Sequence, residues 1–157
     1  VYGPHVRGWN VDGGEAAAMP GVSFMAYGTN KFGVNVTAGD VDGDGIDEIV
    51  TGAGPGVVFG PHVRGWNYDG SSLAPLAGMS FFAWQNSSLR YGVNVFAGAD
   101  LSGDGRDELV AGCGPDPVAD SEVKVFTYDG SGVEQWFSLA GFEPAIRQGC
   151  AVAAGRF

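Results

Sequence analysis

The chain has 157 residues, 45% of them hydrophobic, which is enough to bury the core of one domain. Its formal net charge of −10, with only eight lysines and arginines, excludes a nucleic-acid partner, because phosphate binding needs a basic surface. No apolar run reaches the roughly 18 residues of a membrane-spanning helix, so no membrane span is expected.

From its first residues the chain follows a repeat. VYGPHVRGWNVDG at 1–13 returns as VFGPHVRGWNYDG at 58–70. FGVNVTAGDVDGDGIDEIVTGAGPG at 32–56 returns as YGVNVFAGADLSGDGRDELVAGCGPD at 91–116, and a third copy starts at 148. The units are spaced by 57 to 60 residues. A period of this order indicates a repeat architecture rather than a unique globular fold.

Each unit predicts four antiparallel strands and no helix. GVNVTAG alternates and turns through an acidic loop into EIVTGAG; HVRGWNY runs to a hairpin turn at Asp69–Gly70, and GMSFFAWQ follows. The stretch Glu15–Met19, cut off by Pro20, is predicted to be a loop. Four strands per unit, the first rich in small residues, predict an all-β fold of β-propeller blades.

The predicted boundaries divide the chain into four parts. Residues 1–31 supply the last two strands of one blade, 32–89 and 90–146 are full blades, and 147–157 is the first strand of another. Because a closed ring takes at least four blades, we expect a fragment of a larger propeller. The remaining blades of the same protein, or further copies of this chain, would cover its open edges.

Two nine-residue acidic loops stand at the same place in the two full units. Loop 1 is Asp40–Glu48 and loop 2 is Asp100–Glu108. Carboxylates at alternate positions, with glycines that let the backbone curl, can surround one hard cation with oxygen, and Ca²⁺ is the expected ion. A helical EF-hand is excluded because its glutamate position holds Thr51 and Ala111 and the flanks predict strands.

The expected ligands of loop 1 occupy its odd positions. Four are side chains and one is a main-chain carbonyl: Asp40, Asp42, Asp44 and Glu48, with Ile46 giving the carbonyl. Asp47 is expected to point elsewhere. In loop 2, Ser102 replaces a carboxylate and Arg106 adds positive charge, so we expect weaker binding there. A plain Asp-Gly turn is the alternative, but such a turn needs only one or two of these residues.

Three features together resemble a known family: the steps Phe32–Gly33 and Tyr91–Gly92, the D-x-D-G-D-G-x-D-E loop and a Gly-Pro exit. They resemble the FG-GAP repeat and its VCBS relatives, found in calcium-binding β-propellers such as integrin α-subunit heads and many bacterial surface proteins. The resemblance covers nearly the whole chain. It implies a metal in the hairpin between the first two strands of a blade, bound by Asp40, Asp42, Asp44, Ile46 and Glu48, and by Asp100, Ser102, Asp104, Arg106 and Glu108. This chain departs from the family in its final glutamate, where aspartate is usual, and in the alanine or cysteine that precedes Gly-Pro.

The remaining residues of interest have structural explanations. Cys113 and Cys150 are too few for a zinc site, and either a disulfide or two buried thiols is compatible with their positions. His5 and His62 share one repeat position, which favours a structural role. The aromatic residues of the outer strands are expected to pack between blades, with a ligand-stacking surface as the alternative: Phe81, Phe82, Trp84 and Trp136.

No G-x-S-x-G, H-E-x-x-H or phosphate-cradling motif occurs, so no catalysis is expected. The sequence predicts a calcium-stabilised propeller segment of a secreted or cell-surface protein, since extracellular calcium fills weak sites. It would be a scaffold for adhesion or protein contact, with a protein or glycan at the cell surface as partner. A carbohydrate-binding or carbohydrate-active propeller using Trp84 and Trp136, and a subunit of an extracellular filament or surface layer, are the alternatives.

Overall fold

The computed structural model describes residues 3–29, 31–86, 88–143 and 146–155. Within these ranges the chain forms ten strands and no helix, so none of the described segments is a long apolar helix able to cross a membrane. The strands are β1 His5–Asp12, β2 Glu15–Met25, β3 Val34–Gly39, β4 Glu48–Ala53, β5 His62–Tyr68, β6 Leu73–Phe82, β7 Val93–Phe96, β8 Leu109–Cys113, β9 Glu122–Tyr128 and β10 Val133–Ala140. The all-β prediction is confirmed.

The strands form three antiparallel sheets in which neighbours in the chain are neighbours in space. Strands β1 and β2 form a two-stranded sheet, while β3 to β6 and β7 to β10 form four-stranded sheets. Both four-stranded sheets have a hairpin turn before the outer strand. In each turn an aspartate, Asp69 or Asp129, accepts hydrogen bonds from the main-chain N–H groups two and three residues further on. The glycines of these turns, Gly70 and Gly130, have φ of 90° and 91°. This arrangement is that of propeller blades.

Neighbouring units approach each other closely at their inner strands. Asn35 Nδ2 donates to the Val93 carbonyl at 2.6 Å, and in the next unit Asn94 Nδ2 donates to the Cys150 carbonyl at 2.7 Å. A Cβ on Gly52 would lie 2.4 Å from the Val93 oxygen. The inner strands therefore need a residue without a side chain at this position.

Strand β2 corrects the prediction of a loop at Glu15–Met19. These residues pair with β1 from Asp12↔Glu15 to Trp9↔Ala18. The alanine-rich strand is mostly exposed and lacks hydrophobic alternation, so its own sequence carries no strand signal. Pro20 lies beyond Ala18 at the register shift of this ladder, where no regular strand hydrogen bond is lost.

Two further boundaries differ from the sequence prediction. Strand β6 begins at Leu73 rather than at Gly78, because Leu73 pairs with Tyr68 directly after the hairpin turn. The first strand predicted for 147–157 is not formed by residues 147–155, since no described strand pairs with them, and residues 156–157 lie outside the described ranges. Residues near Cys150 nevertheless pack against the inner strands β7 and β8.

Candidate metal centre

Each acidic loop brings three carboxylates together in the turn between the first two strands of a four-stranded sheet. In loop 1 these belong to Asp40, Asp42 and Asp44, and in loop 2 to Asp100, Asp104 and Glu108; within each group the oxygens lie within 4.8 Å of one another. Three negative groups at this separation repel one another, which a divalent cation would offset. An all-oxygen, carboxylate-rich donor set suits Ca²⁺.

The first aspartate of each loop folds the loop around its own carboxylate. Asp40 Oδ1 accepts from the N–H groups of Gly43 at 2.8 Å and Asp44 at 3.0 Å, and its Oδ2 accepts from Gly45 at 2.9 Å. Asp100 accepts the corresponding bonds in loop 2 from Gly103, Asp104 and Gly105. Asp40 Oδ1 accepts two of these bonds and Oδ2 accepts one, so Oδ2 of Asp40 keeps a lone pair for an ion.

The last glutamate of each loop is buried beneath it. Glu48 is 1% exposed and its Oε2 accepts from Val41 N at 3.1 Å; Glu108 is 2% exposed and its Oε2 accepts from Leu101 N and Ser102 N. Glu108 belongs to the carboxylate group of loop 2, whereas Glu48 is outside the corresponding group of loop 1. Burial, with Asp42 nearby, raises the pKa of Glu48 to about 7. Ligation by Glu48 therefore stays a prediction.

The residue at position 7 differs between the loops. Ile46 is 57% exposed, and its N–H donates to Asp44 Oδ1 at 2.8 Å; Arg106 N makes the same bond to Asp104. The Arg106 side chain extends away from its own loop. Its Nη1 donates to the Tyr128 carbonyl at 3.1 Å, and its stem lies against Gly43 of loop 1. Only the main-chain carbonyl of either residue remains as the expected ligand.

The two loops contact each other through Asp40 and Asp107. Asp107 N donates to the Asp40 carbonyl at 2.8 Å, and Asp40 N donates to Asp107 Oδ2 at 3.0 Å. Burial raises the pKa of Asp107, and the carboxylates of Asp47, Asp40 and Asp100 add to this effect. Sequence reasoning missed Asp107, since this contact depends on how neighbouring sheets are placed rather than on the pattern of one loop.

The cysteines are two free, buried thiols in the structure. Cys150 N donates to the Cys113 carbonyl at 2.9 Å, so the two residues lie side by side. Burial raises the pKa of the Cys113 thiol. Of the two alternatives left open by the sequence, the structure contains the pair of core thiols and no disulfide at this position.

The histidines make the same contact in two units. His5 Nε2 lies 3.0 Å from Ser23 Oγ, and His62 Nε2 lies 3.1 Å from Ser80 Oγ. Burial, followed by the charge of Arg64, lowers the pKa of His62. These contacts join the last two strands of each unit, which is a structural role.

The aromatic residues divide into packed and exposed groups. Phe81 contacts Phe126 of the next sheet edge to face, with ring centroids 5.1 Å apart. Trp84 is 8% exposed, and its Nε1 donates to Glu122 Oε2, whereas Trp136 is 47% exposed. Phe82 is also largely exposed and stacks on a histidine ring. Because Trp84 is buried, the two tryptophans do not form the exposed pair on which the carbohydrate alternative depends.

Comparison with protein families identifies one repeat. Residues 32–65, which contain β3, loop 1, β4 and the start of β5, match the FG-GAP repeat. No curated protein matches the chain. FG-GAP repeats are structural β-propeller repeats, not typically catalytic, and they occur in extracellular and cell-surface proteins. The match supports the family resemblance and the blade architecture.

Proposed function

We propose that this chain is a calcium-stabilised β-propeller segment of a secreted or cell-surface protein, serving as a non-catalytic scaffold for adhesion or protein contact. One observation carries the proposal: a group of three carboxylates recurs at the same turn in two consecutive sheets. An ordinary solvent-exposed turn does not need three carboxylates gathered at one point. The FG-GAP repeat at 32–65 supports the scaffold role.

In loop 1 the side chains of Asp40, Asp42 and Asp44 would hold the ion, together with the expected carbonyl of Ile46. When bound, Ca²⁺ supplies positive charge that offsets the repulsion among these carboxylates. The loop's own residues do the rest: the Asp40 carboxylate holds the turn by accepting from the N–H groups of Gly43 and Gly45, and Glu48 accepts from Val41 N below the loop. The result is a clip that fixes the hairpin of β3 and β4.

An ion that binds only the folded chain stabilises it by mass action, by about 2.7 kcal/mol at a free concentration of 100 times its Kd. Extracellular modules bind Ca²⁺ with Kd values of roughly 10⁻⁴ to 10⁻³ M, which suits a secreted or surface location. The partners consistent with this role are a protein or glycan at the cell surface and the remaining blades of the ring.

The test is thermal unfolding of the chain in calcium and in a calcium chelator. For a protein of this size, stabilisation of about 2–3 kcal/mol should raise the Tm by roughly 5–10 °C. The matched control is the double variant Asp44→Ala, Asp104→Ala, which removes one ligand from each loop and should show little calcium-dependent shift. A wild-type Tm that is the same in calcium and in chelator would contradict the proposal.

A further inference from the structure

Loop 1 and loop 2 belong to different sheets, yet one residue of loop 2 binds both main-chain polar groups of Asp40. Asp107 N donates to the Asp40 carbonyl, and Asp107 Oδ2 accepts from Asp40 N. Asp40 is the residue whose carboxylate folds loop 1 and joins its ligand group. The position of the first ligand in loop 1 therefore depends on loop 2.

Asp107 is in turn tied to the ligand group of loop 2. It directly precedes Glu108, whose carboxylate gathers with those of Asp100 and Asp104 and whose N–H donates to the Ala99 carbonyl at 3.1 Å. An ion held by this group would restrain the main chain at Asp107. The neighbouring Arg106 side chain lies against loop 1 at Gly43, so the two loops meet at a second point.

We propose that Asp107 couples the two loops, so that an ion bound in one loop raises the affinity of the other. The proposal rests on calcium binding by the loops, as argued above. The first ion orders the contacts between Asp107 and Asp40, and the second ion then has fewer groups left to order. Because coupling between two binding sites is reciprocal, either loop can be filled first with the same result.

Direct electrostatics acts in the opposite direction, since the first ion reduces the negative charge that attracts the second. At about 0.15 M salt, screening weakens this opposition between exposed charges, whereas ordering through hydrogen bonds is not screened. The coupling proposal requires that ordering through the short-range contact outweighs the remaining electrostatic opposition. The expected coupling is roughly fivefold or more in affinity, within the usual range for linked sites.

The experiment is calorimetric titration of the 157-residue chain with calcium at about 0.15 M salt. Asp104→Ala isolates loop 1, and Asp44→Ala, its equivalent, isolates loop 2. The coupling factor is the product of the two wild-type stepwise association constants divided by the product of the two single-loop constants. A factor clearly above one is expected; a factor of one or less overturns the proposal.

Three further variants test whether Asp107 carries the coupling. Asp107→Ala loses the bond from Asp40 N but keeps the main-chain bond to the Asp40 carbonyl, so the factor should fall toward one. Asp107→Asn keeps an oxygen for Asp40 N and should retain the factor. Asp47→Ala, the matched change in loop 1, leaves the Asp40–Asp107 contact in place and should also retain it. Persistence of the full factor in Asp107→Ala would overturn the role of Asp107.

Failure of the coupling and failure of calcium binding give different results. A folded chain that takes up no calcium contradicts the proposed function. A chain that takes up two ions with a factor of one contradicts the coupling alone. Circular dichroism verifies that each variant folds; if Asp107→Ala does not, the smaller polar change Asp107→Ser replaces it, and the wild-type factor still decides the proposal.

Discussion

Loop 1 and loop 2 have the same main-chain hydrogen bonds around their first aspartate but gather different carboxylates. Loop 1 uses the side chain at its third position, Asp42, and leaves Glu48 outside the group; loop 2 has Ser102 there, and Glu108 joins instead. The fold of such a loop is thus set by its first aspartate and its glycines. The two ligand groups differ at position 3, where loop 1 supplies the Asp42 carboxylate and loop 2 has Ser102.

The surroundings of the two units also differ. The sheet of β3 to β6 packs on a complete four-stranded sheet, whereas β7 and β8 pack on residues around Cys150 that form no described strand. Similar close contacts between glycine and carbonyl occur at both interfaces. At the first interface the carbonyl belongs to Val93 of strand β7, which is held in place by its hydrogen-bond ladder with β8. At the second interface the carbonyl belongs to Cys150, which lies in no described strand.

The largest expected effect on stability therefore comes from adding a side-chain atom at the first interface, where β4 approaches β7. A Cβ on Gly52 would lie 2.4 Å from the Val93 carbonyl, and one on Gly112 would lie 2.3 Å from the Cys150 carbonyl. Gly52→Ala should cost roughly 2–3 kcal/mol in the free energy of unfolding, because strand β7 cannot move without breaking its ladder. Gly112→Ala should cost roughly 1 kcal/mol, since the segment around Cys150 can shift. Urea denaturation measures both.

Gly132→Ala is the matched control, because no atom lies within 4 Å of its Cβ position. Its unfolding free energy should stay within about 0.5 kcal/mol of wild type. Equal losses in Gly52→Ala and Gly112→Ala would show that the segment around Cys150 is held as firmly as a strand.

Most of the fold was predictable because its signals are local and repeated. The alternation of GVNV, the Asp-Gly turns and the small inner strand residues all lie within one unit of sequence, and they predict strands β3 to β5 correctly. Strand β2 was missed because its pairing with β1, rather than its exposed alanines, defines it. The repeat did contain a signal: Gly21 aligns with Gly78 of β6, and their φ values are 73° and 69°.

The candidate site was predictable only in part. The acidic pattern identifies the convergent carboxylates of Asp40, Asp42 and Asp44 because their spacing within a curled loop brings them together. It does not show that Glu48 lies outside this group, since burial and the Val41 N–H position that side chain. Nor does it show the contact with Asp107, which requires knowledge of how two sheets pack.

The second prediction tests the difference between the two glutamates. Glu108→Gln removes one of three gathered carboxylates and should lower the calcium affinity of loop 2 by roughly ten- to a hundredfold. Glu48→Gln changes a side chain outside the group of loop 1 and should lower the affinity of that loop less than about threefold. Titration of each variant, with the other loop disabled by Asp44→Ala or Asp104→Ala, measures each loop by itself.

Equal losses in the two glutamine variants would contradict this difference. They would mean that ion binding draws Glu48 into the group, as the sequence pattern predicts. In both variants the amide oxygen can still accept a main-chain hydrogen bond, so a change in loop folding is not expected to obscure the comparison.

A smaller effect comes from adding a carboxylate at position 3 of loop 2. Ser102→Asp adds a fourth carboxylate to the loop 2 region and should raise its calcium affinity roughly three- to tenfold, since ligand charge tunes calcium affinity. Ser102→Asn, which adds an uncharged oxygen at the same place, is the control. If asparagine raises the affinity as much as aspartate does, the number of oxygens rather than their charge distinguishes the loops; if neither has an effect, Glu108 already completes the ligand group of loop 2.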